Sequence, residues 1–133
     1  MKQTLIALGA SAATMLVLDG AWLSTMAKKL YRPQLGDLIA DKFHPGPAAA
    51  FYAIYVLGTY AIAVHPSLAD GRVDLAALRG AMLGFMAYAT YDLTNQATLR
   101  HWSTTVTVAD MAWGTVLTAV TAGVGAWAAK AFA

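Results

Sequence analysis

Four long apolar segments leave this chain few folds to choose from. They cover about residues 4–27, 48–65, 75–99 and 105–129, and a helix needs roughly 17–25 residues to cross a bilayer. Hydrocarbon offers backbone groups no water, so each segment must close its own hydrogen bonds as a helix. The composition agrees: 59% of the 133 residues are hydrophobic and only 12% are charged, against about 25% charged in a soluble domain. The expectation is all-α, an integral membrane four-helix bundle forming one domain over residues 1–133. The short second and third loops favour an antiparallel up-down arrangement. A soluble bundle would show a polar stripe on each helix, and these segments show none. A cleaved leader is the competing reading of the first segment. Asp19 and Trp22 are odd contents for one.

What is missing narrows the chemistry. The chain has no cysteine, so disulfides, thiolate metal sites and cysteine nucleophiles are excluded. A formal net charge of +2, with no basic run in an aromatic setting, gives no footprint for nucleic acid. Ser11, Ser24, Ser67 and Ser103 have no paired histidine pattern for serine catalysis. No cofactor motif is present. Asp37, Asp41 and His44 would share a face if that segment were helical, but Pro45 and the lack of a second histidine argue against a metal there.

The loops divide the bundle into two sides. Side A carries Lys2, Arg72, Arg79 and Lys130; side B carries Lys28, Lys29, Arg32, Lys42 and Arg100. The bias is small, and the cluster Lys28, Lys29, Arg32 tips side B towards the cytoplasm. Within the first loop, Pro33 is placed to open a short helix. Leu35, Leu38, Ile39 and Phe43 would then form the apolar face of a helix lying in the interface, with a plain surface loop as the alternative. Pro66 is read as the end of the second span.

The acids carry the functional argument. A charge at mid-bilayer costs about 2.5–3.5 kcal/mol on the insertion scale. Yet Asp19, Asp92 and Asp110 all fall inside spans. Counting about 1.5 Å per residue from alternating ends brings all three to similar depth, in the half nearer side B. Tyr88, Asp92 and Asn95 share a helical face, with Tyr91 beside them; Met15, Asp19 and Trp22 share another; Asp110, Trp113 and Gly114 a third. These residues, with Arg32 and Arg100 waiting on the same side, define the expected site. Asp92, Asp19 and Asp110 are its candidate acids or bases, or proton carriers. Asn95, Tyr88, Tyr91, Trp22, Trp113, Arg100 and Arg32 are its candidate ligand contacts. Convergent polar groups inside aromatic walls suit a ligand, and three close carboxylates do not all ionise easily. The plainer reading is helix glue: Asp19 paired with Arg32 or Lys29, Asp92 with Arg100, and Asp110 as a cap set too deep for good geometry.

Two further patterns are structural. Gly80-x-x-x-Gly84 can seat either a neighbouring helix or a second copy of the chain. Asp19-Gly-Ala-Trp22 and Asp110-Met-Ala-Trp113 share D-x-A-W on helices running in opposite directions, a weak echo of an inverted repeat. Tyr52, Tyr55 and Tyr60 read as packing and interface belt.

The runs YATYDLTNQATLRHW and VTVADMAWGTVLTA, with LDGAWLSTMAKKLYRPQLGDLIADK upstream, resemble the bacterial membrane proteins grouped as domain of unknown function family 2177. The likeness covers nearly the whole chain. It departs where the family often has a proline in place of Ser103. The resemblance implies a multi-pass protein of the bacterial inner membrane with four spans, no established activity, and a loose connection with fatty-acid modification.

Three functions then compete. One is a protein that binds or modifies a lipid-like small molecule, with a raised carboxyl as acid or base. Another is a small proton-coupled transporter acting as a homodimer. The last is an accessory subunit of a membrane complex. The partners expected are membrane lipid and a lipid-like ligand, and no nucleic acid.

Overall fold

A computed structural model describes the whole chain, residues 1–133, as helices and turns with no strand. Helix α1 runs from Lys2 to Leu38, α2 from Pro45 to Leu68, α3 from Val73 to Thr98 and α4 from Thr104 to Phe132. Hydrogen bonds fix their alternation. Thr4 near the start of α1 meets Tyr60 late in α2, at 3.0 Å. Lys130 at the end of α4 reaches the carbonyl of Gly71 in the α2–α3 turn. Gln34 at the end of α1 accepts from Ser103 in the α3–α4 turn, at 2.7 Å. The bundle is therefore antiparallel and up-down.

The distribution of side chains is inverted relative to a soluble protein. Large apolar residues point outwards on every helix: Leu16 and Val17, Ile54 and Leu57, Met82 and Met86, Val116 and Trp127. The interior is small and partly polar, with Ala7, Ser11, Thr118, Thr121 and Ala126 nearly inaccessible. In lipid the apolar faces need no burial, and small residues let backbones approach closely. Three helices, α1, α2 and α4, are long and apolar enough to cross a membrane. Helix α3 is as long but more polar, because it carries Asp74, Arg79, Asp92, Asn95 and Gln96. Its outward face is nonetheless apolar, with Leu78, Met82, Phe85, Met86 and Leu93 exposed.

Helix α4 is the axis. It supplies thirteen of the twenty-six buried residues, and α3 and α1 pack along it most extensively. Gly80 and Gly84 settle the use of their motif: both lie against α4. A Cβ on Gly80 would stand 2.8 Å from that of Ala122. One on Gly84 would strike the Gly114 carbonyl and Thr118. Helix α2 is held differently. Its later part, around Ala63 and Val64, is buried against the core, whereas the stretch Pro45–Thr59 buries only its last residue, Thr59, and its first half stands off from the bundle.

Two expectations are corrected. The first loop contains no separate interfacial helix. Instead α1 continues through a π-helical turn at Ala27–Tyr31 and a final turn at Arg32–Leu35, ending at Gly36–Leu38 where Gly36 takes φ 53°. Only residues 39–44 lie between α1 and α2, so Asp37, Asp41 and His44 share no helical face. Pro66 does not end α2 either. The π-helical turn at Tyr60–Val64 precedes it and the helix runs on to Leu68. Proline's ring clashes with the carbonyl four residues back, here that of Ile62, and a wider turn is one way to relieve this.

Candidate functional site

The stripe Ala7, Ser11, Met15, Asp19 repeats every four residues on the buried face of α1. On α3 the buried stripe is Ala76, Gly80, Gly84 and Asp92, with Tyr88 completing the spacing. On α4, Asp110, Gly114 and Thr118 continue it. Each stripe begins or ends in an aspartate at the side-B half. The three carboxylates are buried, Asp92 completely.

Their partners differ, and the difference is informative. Asp19 is doubly held: Trp113 donates its indole N–H to Oδ1 at 3.0 Å, and the Tyr52 hydroxyl donates to Oδ2. Asp110 accepts the Tyr31 hydroxyl at Oδ1, at 2.6 Å. That hydroxyl in turn accepts the Trp22 indole N–H at 2.8 Å. The two tryptophan rings stack face to face, with centroids 4.6 Å apart and planes 5° from parallel. The D-x-A-W echo is thus realised crosswise. Each tryptophan stands three residues after one aspartate and serves the aspartate of the other helix, directly or through Tyr31. Each aspartate also takes one tyrosine. Asp92 stands apart: neither of its oxygens receives a hydrogen bond, and the charge acting on it is that of Asp110.

Tyr31 reaches this site because of the π-turn. Nine residues of ideal α-helix turn through about 900°, leaving Trp22 and Tyr31 on opposite faces. A π-turn holds more residues per turn, so it resets the phase of the helix beyond it.

A cavity of about 300 Å³ adjoins the acids, lined by Phe51, Tyr55, Ala87, Tyr88, Tyr91 and Asp110. It exists where the first half of α2 stands off. Two exposed side chains, Phe51 and Tyr91, mark its outer rim. Tyr55 is anchored by a 2.8 Å hydrogen bond to Thr118, and Tyr88 packs its ring over Gly114, where a Cβ would collide with it.

Of the residues expected from sequence, Asp19, Asp92, Asp110, Trp22, Trp113, Tyr88 and Tyr91 come together around the hydrogen-bond network and its cavity. Asn95 lies one turn beyond Asp92 towards side B, where it neighbours Tyr91 and stays outside the network on Asp19 and Asp110. Arg32 and Arg100 are not brought in. Both are exposed, and the structure's salt bridge is Arg72–Asp74 on the opposite side. Their long side chains extend outwards instead of turning back into the bundle. Asp110 is no cap either: Ser103 caps α4, accepting the Val106 N–H at 3.2 Å. The residues missed are Tyr31, Tyr52, Tyr55 and Phe51. Tyrosines 52 and 55, one turn apart on α2, carried the available signal.

An all-α bundle with an inverted surface and buried carboxylates at one end is a membrane protein. Residues 4–127 match the model of the family described as "Predicted membrane protein (DUF2177)", and the chain belongs to that family. No curated protein matches the chain, and no solved structure does.

Proposed function

We propose that this protein binds a lipid-like amphiphile drawn from the bilayer, seating its polar end against Asp110 and letting its tail leave between α2 and α3. The reading places all four helices across a bacterial inner membrane. The supporting observation is the cavity beside Asp110, walled by four aromatic rings and rimmed by exposed Phe51 and Tyr91. Apolar walls with a few placed polar groups are what ligand sites share. A lateral rim suits a molecule already dissolved in lipid. The test is native mass spectrometry from mild detergent, comparing the parent with Ala87→Trp, which fills the cavity. The parent should retain a specific lipid-like adduct that the variant loses. Equal retention by both would overturn the reading.

Asp92 supports a second reading, proton-coupled transport. A fully buried carboxyl without a hydrogen-bond donor, beside a second carboxyl, is suited to taking and releasing a proton. In proteoliposomes, Asp92→Asn should abolish substrate movement driven by a pH gradient. Undiminished movement would remove the reading.

A further inference from the structure

We infer that the amphiphile in this cavity carries a cationic, ammonium-type head group; the inference rests on the amphiphile reading above and specifies its ligand class. The first argument is the sign of the charges. One wall of the cavity is the Asp110 carboxylate, with Asp19 held in the adjoining network. No lysine, arginine or histidine lines the space. The arginines on the same side, Arg32 and Arg100, are exposed. A phosphate or carboxylate head group would meet like charge in a low dielectric, where repulsion is least screened.

The second argument is the donors. The Trp113 indole and the hydroxyls of Tyr31 and Tyr52 end on Asp19 or Asp110, and the Trp22 indole ends on the Tyr31 hydroxyl. Tyr55 is bonded to Thr118. The groups that could have received an anion are already committed within this network. Only the Tyr88 and Tyr91 hydroxyls remain at the wall, and each can accept as well as donate.

The third argument is the rings. Phe51 and Tyr55 lie 5.2 Å apart at 24°, and Tyr55 and Tyr88 lie 6.4 Å apart at 70°. With Tyr91 they present ring surfaces at several inclinations around one space that ends in a carboxylate. Faces of aromatic rings attract cations within about 6 Å, and caged quaternary ammonium groups use this attraction. A space of about 300 Å³ takes a head group rather than a whole amphiphile, consistent with a tail left in lipid.

The test uses three probes with the same dodecyl tail, offered below their micellar concentrations to the protein in a non-ionic maltoside detergent. They are dodecyltrimethylammonium, dodecanol and dodecyl sulfate. Binding is read by intrinsic fluorescence and by adduct mass. The trimethylammonium charge does not titrate, so protonation of the probe plays no part. The parent should bind the ammonium at least about tenfold more tightly than the alcohol, with the sulfate weakest. Phe51→Leu, a change at a partly exposed wall, should weaken the ammonium by about fivefold and leave the alcohol unchanged. Asp110→Asn should abolish the preference. Equal binding of ammonium and alcohol, both lost in Ala87→Trp, overturns the head-group inference and leaves the amphiphile reading standing. A preference for sulfate does the same. Binding of none of the three overturns both.

Discussion

The two ends of this bundle use the same spacing for opposite purposes. At the side-A end, α3 and α4 touch through Gly80, Gly84, Thr118 and Ala122, and α1 meets Gly125 through Ala7 and Ser11. At Gly80, Gly84 and Gly125 there is no room even for a methyl group. At the side-B end the stripes of four continue, but the residues they deliver are Asp19, Tyr88, Asp92 and Asp110. Backbones are held close along one stretch and kept apart by rings at the other, and the cavity beside Asp110 lies among those rings. The tight end therefore sets the geometry, and the aromatic end uses it.

The sharpest way to break this contrast is at Gly84. Gly84→Leu drives a side chain into the Gly114 carbonyl and Thr118, and overpacking of a close contact costs about 1–3 kcal/mol or more. We expect loss of a monodisperse protein in detergent. Gly20→Leu, where a Cβ meets nothing within 4 Å, should behave like the parent. Equal tolerance at both positions would mean that the tight end sets nothing.

A smaller effect separates the acids from one another. Asp19→Asn loses at least one of two hydrogen bonds and confronts a donor with a donor. It should lower stability by about 1–3 kcal/mol in thermal unfolding. Asp92→Asn loses no hydrogen bond and removes one of two facing carboxyls, so it should leave the unfolding temperature unchanged or raise it. Next in size is Ser103→Ala, which removes the cap of α4 and the tie to Gln34. Loss of such a cap costs about 0.5–2 kcal/mol.

The smallest effect lies at the outer surface of the tight end. The Arg72 guanidinium, 2.7 Å from Asp74, holds that carboxyl below its usual range. A depressed carboxyl contributes stability above its unfolded value of about 3.9, and loses it as pH falls through the folded value. Both groups are exposed, so the gain is small and screened by salt. Asp74→Asn should match the parent near neutrality at moderate salt, and any difference should vanish in the acid limb of a pH–stability profile.

The sequence is legible along the helix axis and much less so around it. Rise per residue is regular, so counting from alternating ends is enough to bring Asp19, Asp92 and Asp110 to one depth. No such count tells which helix faces which. Tyr52 and Tyr55 therefore read as packing and interface belt, with nothing to show that they hydrogen-bond inwards, to Asp19 and Thr118. Tyr31 falls in a loop on sequence grounds, because Lys28 and Lys29 look like the end of a span. The π-turn that carries the helix past them has no sequence mark. Arg32 and Arg100 lie on the expected side, but depth says nothing about whether a long side chain turns inwards. The D-x-A-W echo is visible as four letters, while its crosswise pairing needs the fold.

The stacked pair Trp22 and Trp113 gives the protein an optical gauge of its own. Two indoles in parallel contact share their excitation, and that coupling decays steeply as they separate. One ring rides on α1 and the other on α4, each wired to the far helix's carboxylate. Any opening between those helices would split the pair and alter the near-ultraviolet circular dichroism, with no added label.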